Sequence, residues 1–218
     1  MTDRDSREPI PDRSHDADGD TAGPPPVIVR LAVAEDIASV GSIYWHHVLH
    51  GTATFEEEPP TLDEMAARWR SVCEIGLPFL VAERRPSRAT PAAGDAGATG
   101  LGTAILGYAY ASRYRPRSAY RYTLESSVYL DPGETGRGTG TLLMRSLLDR
   151  CSGGPWRQMV AVIGDSANHA SIRLHERLGF RLVGTLRDVG FKHGRWLDTV
   201  VMQRPLENAE EPGAPDRG

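Results

Sequence analysis

Apolar residues alternate with polar ones in some stretches of this chain and recur every three or four residues in others. The switch between these periods gives the order of elements. Val27 to Leu31 reads as a short strand. From Ala34 to Leu49, the positions Ile37, Val40, Ile43, Tyr44 and Val48 share one helical face, and Glu35 and Asp36 suit its first turn. Pro59-Pro60-Thr61 opens a second helix, Leu62 to Cys73, with Thr61 as the candidate N-cap. Phe79 to Glu83 and Ala104 to Ala111 are strands. Tyr122 to Leu130 is a fourth, stopped by Asp131-Pro132-Gly133. Gly138 to Arg150 carries Leu142, Leu143, Leu147 and Leu148 at helical spacing. Met159 to Ile163 is unbroken and apolar, as a strand covered on both faces would be. Ser166 or Asn168 caps a helix that runs to Leu178 and is closed by Gly179. Phe180 to Val189 and Trp196 to Gln203 end the pattern as an antiparallel pair. The order predicts an α/β fold, a mixed sheet of about seven strands with helices on both faces.

Composition trims this picture. Residues 1–26 are rich in Asp, Arg, Pro and Gly and read as a disordered tail with no apolar run of a signal peptide. Residues 207–218 read as a second tail, and 85–102 as a flexible insertion loop. One domain, 27–206, remains. The net charge is −4, and the tails carry more than all of it. The core is mildly positive, without the clustered basic face that nucleic acid requires. No apolar stretch approaches 18 residues, which excludes a spanning helix. Cys73 and Cys151 form no CxxC pair. They read as small buried residues in a reducing, cytoplasmic setting, with a disulfide between them left open.

Thr135-Gly136-Arg137-Gly138-Thr139-Gly140 lies between the fourth strand and the third helix. A glycine-rich turn at a helix N-terminus gathers unpaired N–H groups and the positive end of the helix dipole, so a phosphate is expected there. It is not a P-loop, because Lys192 is the only lysine in the chain. It is not a dinucleotide fingerprint, because GxGxG falls mid-chain rather than after a first strand. A plain turn that binds nothing remains the alternative.

The element order with this loop resembles the GNAT superfamily of acyl-CoA-dependent N-acetyltransferases, and the resemblance covers about Val27 to Leu206. The superfamily pattern [Q/R]-x-x-G-x-[G/A] is matched at Gly138 and Gly140 and departs at Thr135, where Arg137 is a candidate to compensate. Asn168 opening the next helix and Gly179-Phe180 after it fit the same pattern. Within the superfamily, the blocks Ala119 to Leu130, Ser171 to Phe180, Gly190 to Asp198 and Thr52 to Glu56 resemble the phosphinothricin and methionine sulfoximine acetyltransferases. The resemblance implies a GNAT fold with a mostly antiparallel sheet, acetyl-CoA as co-substrate, no metal, a small amino-acid-like amine as acceptor, and a homodimer.

It also implies roles. Glu125 interrupts an otherwise uncharged strand and is the candidate general base; a solvent-facing Glu, or one paired with Arg121, is the bland alternative. His175, two turns after Asn168, either assists the base or acts as the acid, or is a helix histidine bonded to a backbone carbonyl. Cofactor contacts are expected from the backbone of Ser127, Val128 and Tyr129, from Thr135, Gly136, Arg137, Gly138, Thr139 and Gly140, and from Asn168. Arg117, within a cluster with Arg113, Arg115 and Arg121, is the candidate for the substrate oxyanion, with Tyr120 beside it. Phe55 is the candidate wall for the amino-acid side chain. Lys192 and Trp196 belong to a C-terminal hairpin that closes the site and the dimer. His46 and His50 are i, i+4, but no HExxH accompanies them. Acetylation of another amine (protein N-terminus, polyamine or aminoglycoside) and a non-catalytic acyl-CoA-binding module stand as rivals.

Overall fold

The computed structural model describes residues 26–84 and 104–206. The expected tails, Pro26 excepted, and the 85–102 insertion lie outside them. Seven strands form one sheet: β1 (Val27–Leu31), β2 (Phe79–Arg84), β3 (Ala104–Arg113), β4 (Thr123–Leu130), β5 (Gln158–Gly164), β6 (Arg181–Lys192) and β7 (Arg195–Pro205), in the order β1-β2-β3-β4-β5-β7-β6. All neighbours are antiparallel except β4 and β5. The helices are α1 (Ile37–His50), α2 (Leu62–Glu74), α3 (Thr139–Cys151) and α4 (His169–Arg177). The mixed, mostly antiparallel sheet expected from the sequence is the one observed.

Side-chain alternation along β4 sorts the layers. Tyr129 meets Tyr44 of α1 edge-on, with ring centroids 5.1 Å apart. The next residue, Leu130, turns to the opposite face, where a Cβ on Gly140 of α3 would lie 3.4 Å from it. So α1 covers one face and α3 the other, and α3 buries Leu143, Met144, Leu147 and Leu148 against the sheet.

Local chemistry explains where the helices begin. Thr61 and Glu64 form a reciprocal cap: the Thr61 hydroxyl accepts from the Glu64 N–H at 3.3 Å, and the Glu64 carboxylate accepts from the Thr61 N–H at 2.6 Å. The first turn expected of α1 is instead a 3-10 turn, Ala34–Asp36. There the Asp36 carboxylate accepts from the Val33 N–H at 2.8 Å and from Arg30 at 2.6 and 2.8 Å. These ties hold the turn tight and defer the α-helix to Ile37.

Two burial expectations are corrected. Cys73 is exposed near the end of α2, whereas Cys151 is buried, and both are free thiols. Val162, in the middle of the apolar β5, is 40% exposed, because β5 has parted from β4 at that point.

Candidate active site

β4 and β5 pair in parallel only from Thr123↔Gln158 to Ser126↔Ala161, although both strands continue. Past that point they diverge, and a cleft of about 540 Å³ opens between them. Val128 to Leu130 form one wall and Ala161 to Gly164 the other. The glycine loop and α4 close its far side through Thr135, Gly136, Gly138, Gly140, Asn168, Ser171, Leu174 and His175.

The backbone of β4 reaches this cleft at alternate residues only. The Asp131 N–H donates to Leu106 at 2.9 Å, and the Thr123 carbonyl accepts from Tyr114 at 3.2 Å. The β3–β4 register carries no shift between them. Odd-numbered residues therefore turn their backbone groups to β3, and even-numbered ones to β5 or the cleft. Of the expected Ser127, Val128 and Tyr129, only Val128 offers its backbone edge to a ligand. The other two turn their backbone groups to β3 instead, although Tyr129 is still among the residues lining the cleft. The next even residue, Leu130, has its carbonyl occupied by His47, whose Nε2–H donates to it at 2.8 Å. His47 also lines the cleft and was absent from the sequence-based set. Nothing in its sequence context marks it apart from His46 and His50.

The glycine loop has the open, left-handed backbone that an anion site requires. Gly136 and Gly138 have φ of 79° and 87°, and a Cβ on either would meet nothing within 4 Å. Left-handed backbone favours glycine there, and the space beside it is open. Gly138 caps α3, whose first N–H groups have no partner within the helix.

The loop is held from below by Glu134, which is 5% exposed. Arg84, at the end of β2, grips its carboxylate with two nitrogens at 3.1 and 3.2 Å, and the Thr139 hydroxyl donates to it at 3.2 Å. Arg137 faces the same carboxylate at 3.8 Å. The Thr139 hydroxyl is thus engaged with Glu134, the Arg137 side chain stays largely exposed beside it, and neither residue, both expected as cofactor contacts, lines the cleft. The side of α4 facing the cleft adds Arg173 and Arg177. Their i, i+4 spacing on the helix of Asn168 and His175 was the signal for them.

Asn168 and His175 do come together on one side of α4, as expected. Asn168 caps it, its side-chain oxygen accepting from the Ser171 N–H at 3.2 Å. His175 is buried, with Nδ1 2.8 Å from the Ser171 carbonyl. A carbonyl only accepts, so Nδ1 carries the proton and Nε2 is a lone pair. Nε2 is buried and finds no partner among the described residues. Burial pushes the pKa of His175 down against the opposing Ser171 bond, so the ring is held neutral.

Glu125 stands on the α1 face of the sheet, the same face as Tyr129, one residue from Ser126 in the cleft. Desolvation raises its pKa, and Arg115 opposes the shift. Phe55, in the connection between α1 and α2, lies against Gly164 and Gly190, and neither it nor Glu125 is among the residues lining the cleft. Arg117 precedes a 3-10 turn, Ser118–Tyr120, and is exposed. Tyr120 sits edge-on to Tyr114 at 5.8 Å. Neither Arg117 nor Tyr120 lines the cleft, and Arg115, stacked on Tyr114 at 4.8 Å, is the arginine whose charge reaches Glu125.

A sheet that splays between two parallel strands, with an anion loop at one side, defines the class. Residues 44–180 match the acetyltransferase (GNAT) family, and the chain belongs to that family: it is an acetyltransferase with acetyl-CoA as co-substrate. It is 50% identical over 188 residues to a phosphinothricin N-acetyltransferase of Alcaligenes faecalis, covering 86% of each chain. It is 35% identical to an L-methionine sulfoximine/L-methionine sulfone acetyltransferase of Salmonella typhimurium, over 85% of this chain and 98% of that one. Its fold matches the crystal structure of a phosphinothricin acetyltransferase from Sinorhizobium meliloti in complex with acetyl-CoA, with a TM-score of 0.74, 43% identity, and 88% and 94% of the two chains covered. The donors present here fit that co-substrate: an open left-handed glycine loop for a pyrophosphate, and a free backbone edge at Val128 for an amide chain.

Proposed function

We propose that this enzyme acetylates the amino group of a small amino-acid analogue of the phosphinothricin or methionine sulfoximine type, with Glu125 as general base. The observation that supports the mechanism is the place of Glu125 on β4, one residue before the last β4–β5 pair at Ser126↔Ala161, with a carboxyl pKa raised by desolvation. An α-amino group has a reference pKa of about 8 and is mostly protonated at neutral pH. Glu125 takes one proton, directly or through a water. The freed nitrogen attacks the thioester carbonyl, the C–S bond breaks, and the second proton of the nitrogen passes, directly or through water, to the leaving thiolate. The backbone N–H of Val128 is the candidate donor to the carbonyl oxygen as charge develops on it. His175, neutral and with Nε2 as an acceptor, suits orienting a donor beside the reacting groups. It does not suit giving up a proton, which favours the assisting role over that of acid.

The arginines from Arg113 to Arg121 support an acceptor that carries an oxyanion and speak against polyamines and aminoglycosides, which are cations. Glu125 and His175 together speak against a binding module without turnover. The test follows thiol release from acetyl-CoA with phosphinothricin, methionine sulfoximine, methionine sulfone, a polyamine and an aminoglycoside. Release with the first three alone is expected. Release only with a cation, or with none, overturns the proposal.

A homodimer belongs to the same proposal. β6 is an edge strand, and Leu182, Val183, Leu186, Val189 and Phe191 stand exposed along it, beside Trp196 at 63%. Sedimentation at twice the chain mass is expected. A cytoplasmic setting accords with the two free thiols.

A further inference from the structure

Phe55 stands where it does because of β6. Its ring lies against Gly190, where a Cβ would collide with Cε2 and come within 2.6 Å of Cδ2. It also lies against Gly164 at the end of β5, where a Cβ would be 3.1 Å from Cε1. The ring therefore fills a slot between two strands that only side-chain-free residues leave open. The backbone just before it is fixed as well. The Thr54 carbonyl accepts from Lys192 Nζ at 2.9 Å, and the Thr54 hydroxyl pairs with Tyr44 at 2.9 Å.

Lys192 is 2% exposed, and burying an ammonium is costly unless something compensates. Here desolvation holds the Lys192 pKa below its ordinary value, and the Thr54 carbonyl and the nearby charges of Glu57 and Glu56 offset only part of that cost. An apolar residue would pack at this position without that cost, but it could not hold Thr54.

We propose that Gly190 determines acceptor specificity by fixing the plane of the Phe55 ring, and that Lys192 is a positioning residue that holds the Thr54–Phe55 backbone for the amine. The proposal rests on the acceptor class proposed above. It adds that β6, outside the cleft, decides which acceptor side chain fits.

The test compares wild type, Gly190→Ala, Lys192→Met and Lys192→Arg with methionine sulfone and phosphinothricin, measuring kcat/KM for each acceptor and Kd for acetyl-CoA. Misplacing a positioning group by about 1 Å costs up to about 100-fold. Gly190→Ala is expected to change the ratio of kcat/KM between the two acceptors by about 10-fold or more. Lys192→Met is expected to raise the acceptor KM, with Lys192→Arg recovering part of the loss. Acetyl-CoA Kd should stay within twofold of wild type in each, a readout that general unfolding would not leave intact.

An unchanged acceptor ratio in Gly190→Ala overturns the inference. So does a Lys192→Met variant that weakens acetyl-CoA as much as it weakens the amine. If the lysine variants do not fold, Gly190→Ala carries the test alone. Failure of the acceptor class is separate: wild type itself would then turn over neither compound.

Discussion

Arg84 and Glu134, fifty residues apart in sequence, form a two-pronged ion pair beneath the glycine loop, at 3.1 and 3.2 Å. Glu134 also receives the Thr139 hydroxyl at 3.2 Å, so one buried carboxylate ties the end of β2 to the first residue of α3. Glu134→Ala leaves Arg84 without this partner and releases the loop. Stability should fall by about 1–3 kcal/mol, the cost of an unsatisfied charged group with Arg84 partly exposed. The KM for acetyl-CoA should rise more than the KM for the amine. Unfolding by denaturant and steady-state kinetics check both.

The acidic limb of the pH profile should belong to Glu125. Its pKa is raised by desolvation and lowered by Arg115, and activity requires the unprotonated form, so kcat/KM should rise as pH rises through that value. Arg115→Gln removes the opposing cation, which raises the carboxyl pKa further. The limb should therefore move to higher pH in that variant and vanish in Glu125→Gln. A limb that stays in place in both would assign it to another group.

His175 should make folding sensitive to acid. Its folded pKa lies below the ordinary 6.5 because the ring is buried. Below about pH 6.5 the unfolded chain binds a proton that the folded chain refuses, so stability is present above that value and lost as pH falls toward the folded pKa. Melting temperature should drop between about pH 7.5 and about pH 5.5, and His175→Asn should drop less over the same interval.

The two thiols should differ in reactivity. Burial pushes Cys151 up to about 12, whereas Cys73 is exposed. A thiol reagent at neutral pH should label Cys73 in the folded protein and reach Cys151 only on denaturation. Labelling of Cys151 first would contradict its packing.

The element order was legible because its signals are local. The 3.6 and 2.0 periods, the cap at Thr61 and the cap at Asn168 each lie within a few residues of what they control. The glycine loop was legible for the same reason, as were Asn168 and His175, which a helical repeat brings to one side. What the sequence hid is long-range. Arg84 and Glu134 meet only when β2 and the loop pack, so the buried carboxylate beneath Arg137 and Thr139 could not be read from the loop alone. Ser127 and Tyr129 looked equal to Val128, because which backbone edge faces the cleft depends on the register with β3. Val162 looked buried, because the divergence of β4 and β5 leaves no mark on a run of five apolar residues. Cys73 lies beside Val72, which is buried, and one step around a helix is enough to expose it.

The most direct measurement is the mass of the product when phosphinothricin and acetyl-CoA are incubated with wild type and with Glu125→Gln. The acceptor should gain one acetyl group on its amino nitrogen with wild type, at a rate about 100-fold or more above that of the variant, while both bind acetyl-CoA alike. An unmodified acceptor with wild type, or equal rates in the two proteins, would contradict the assignment of Glu125 and of the acceptor it serves.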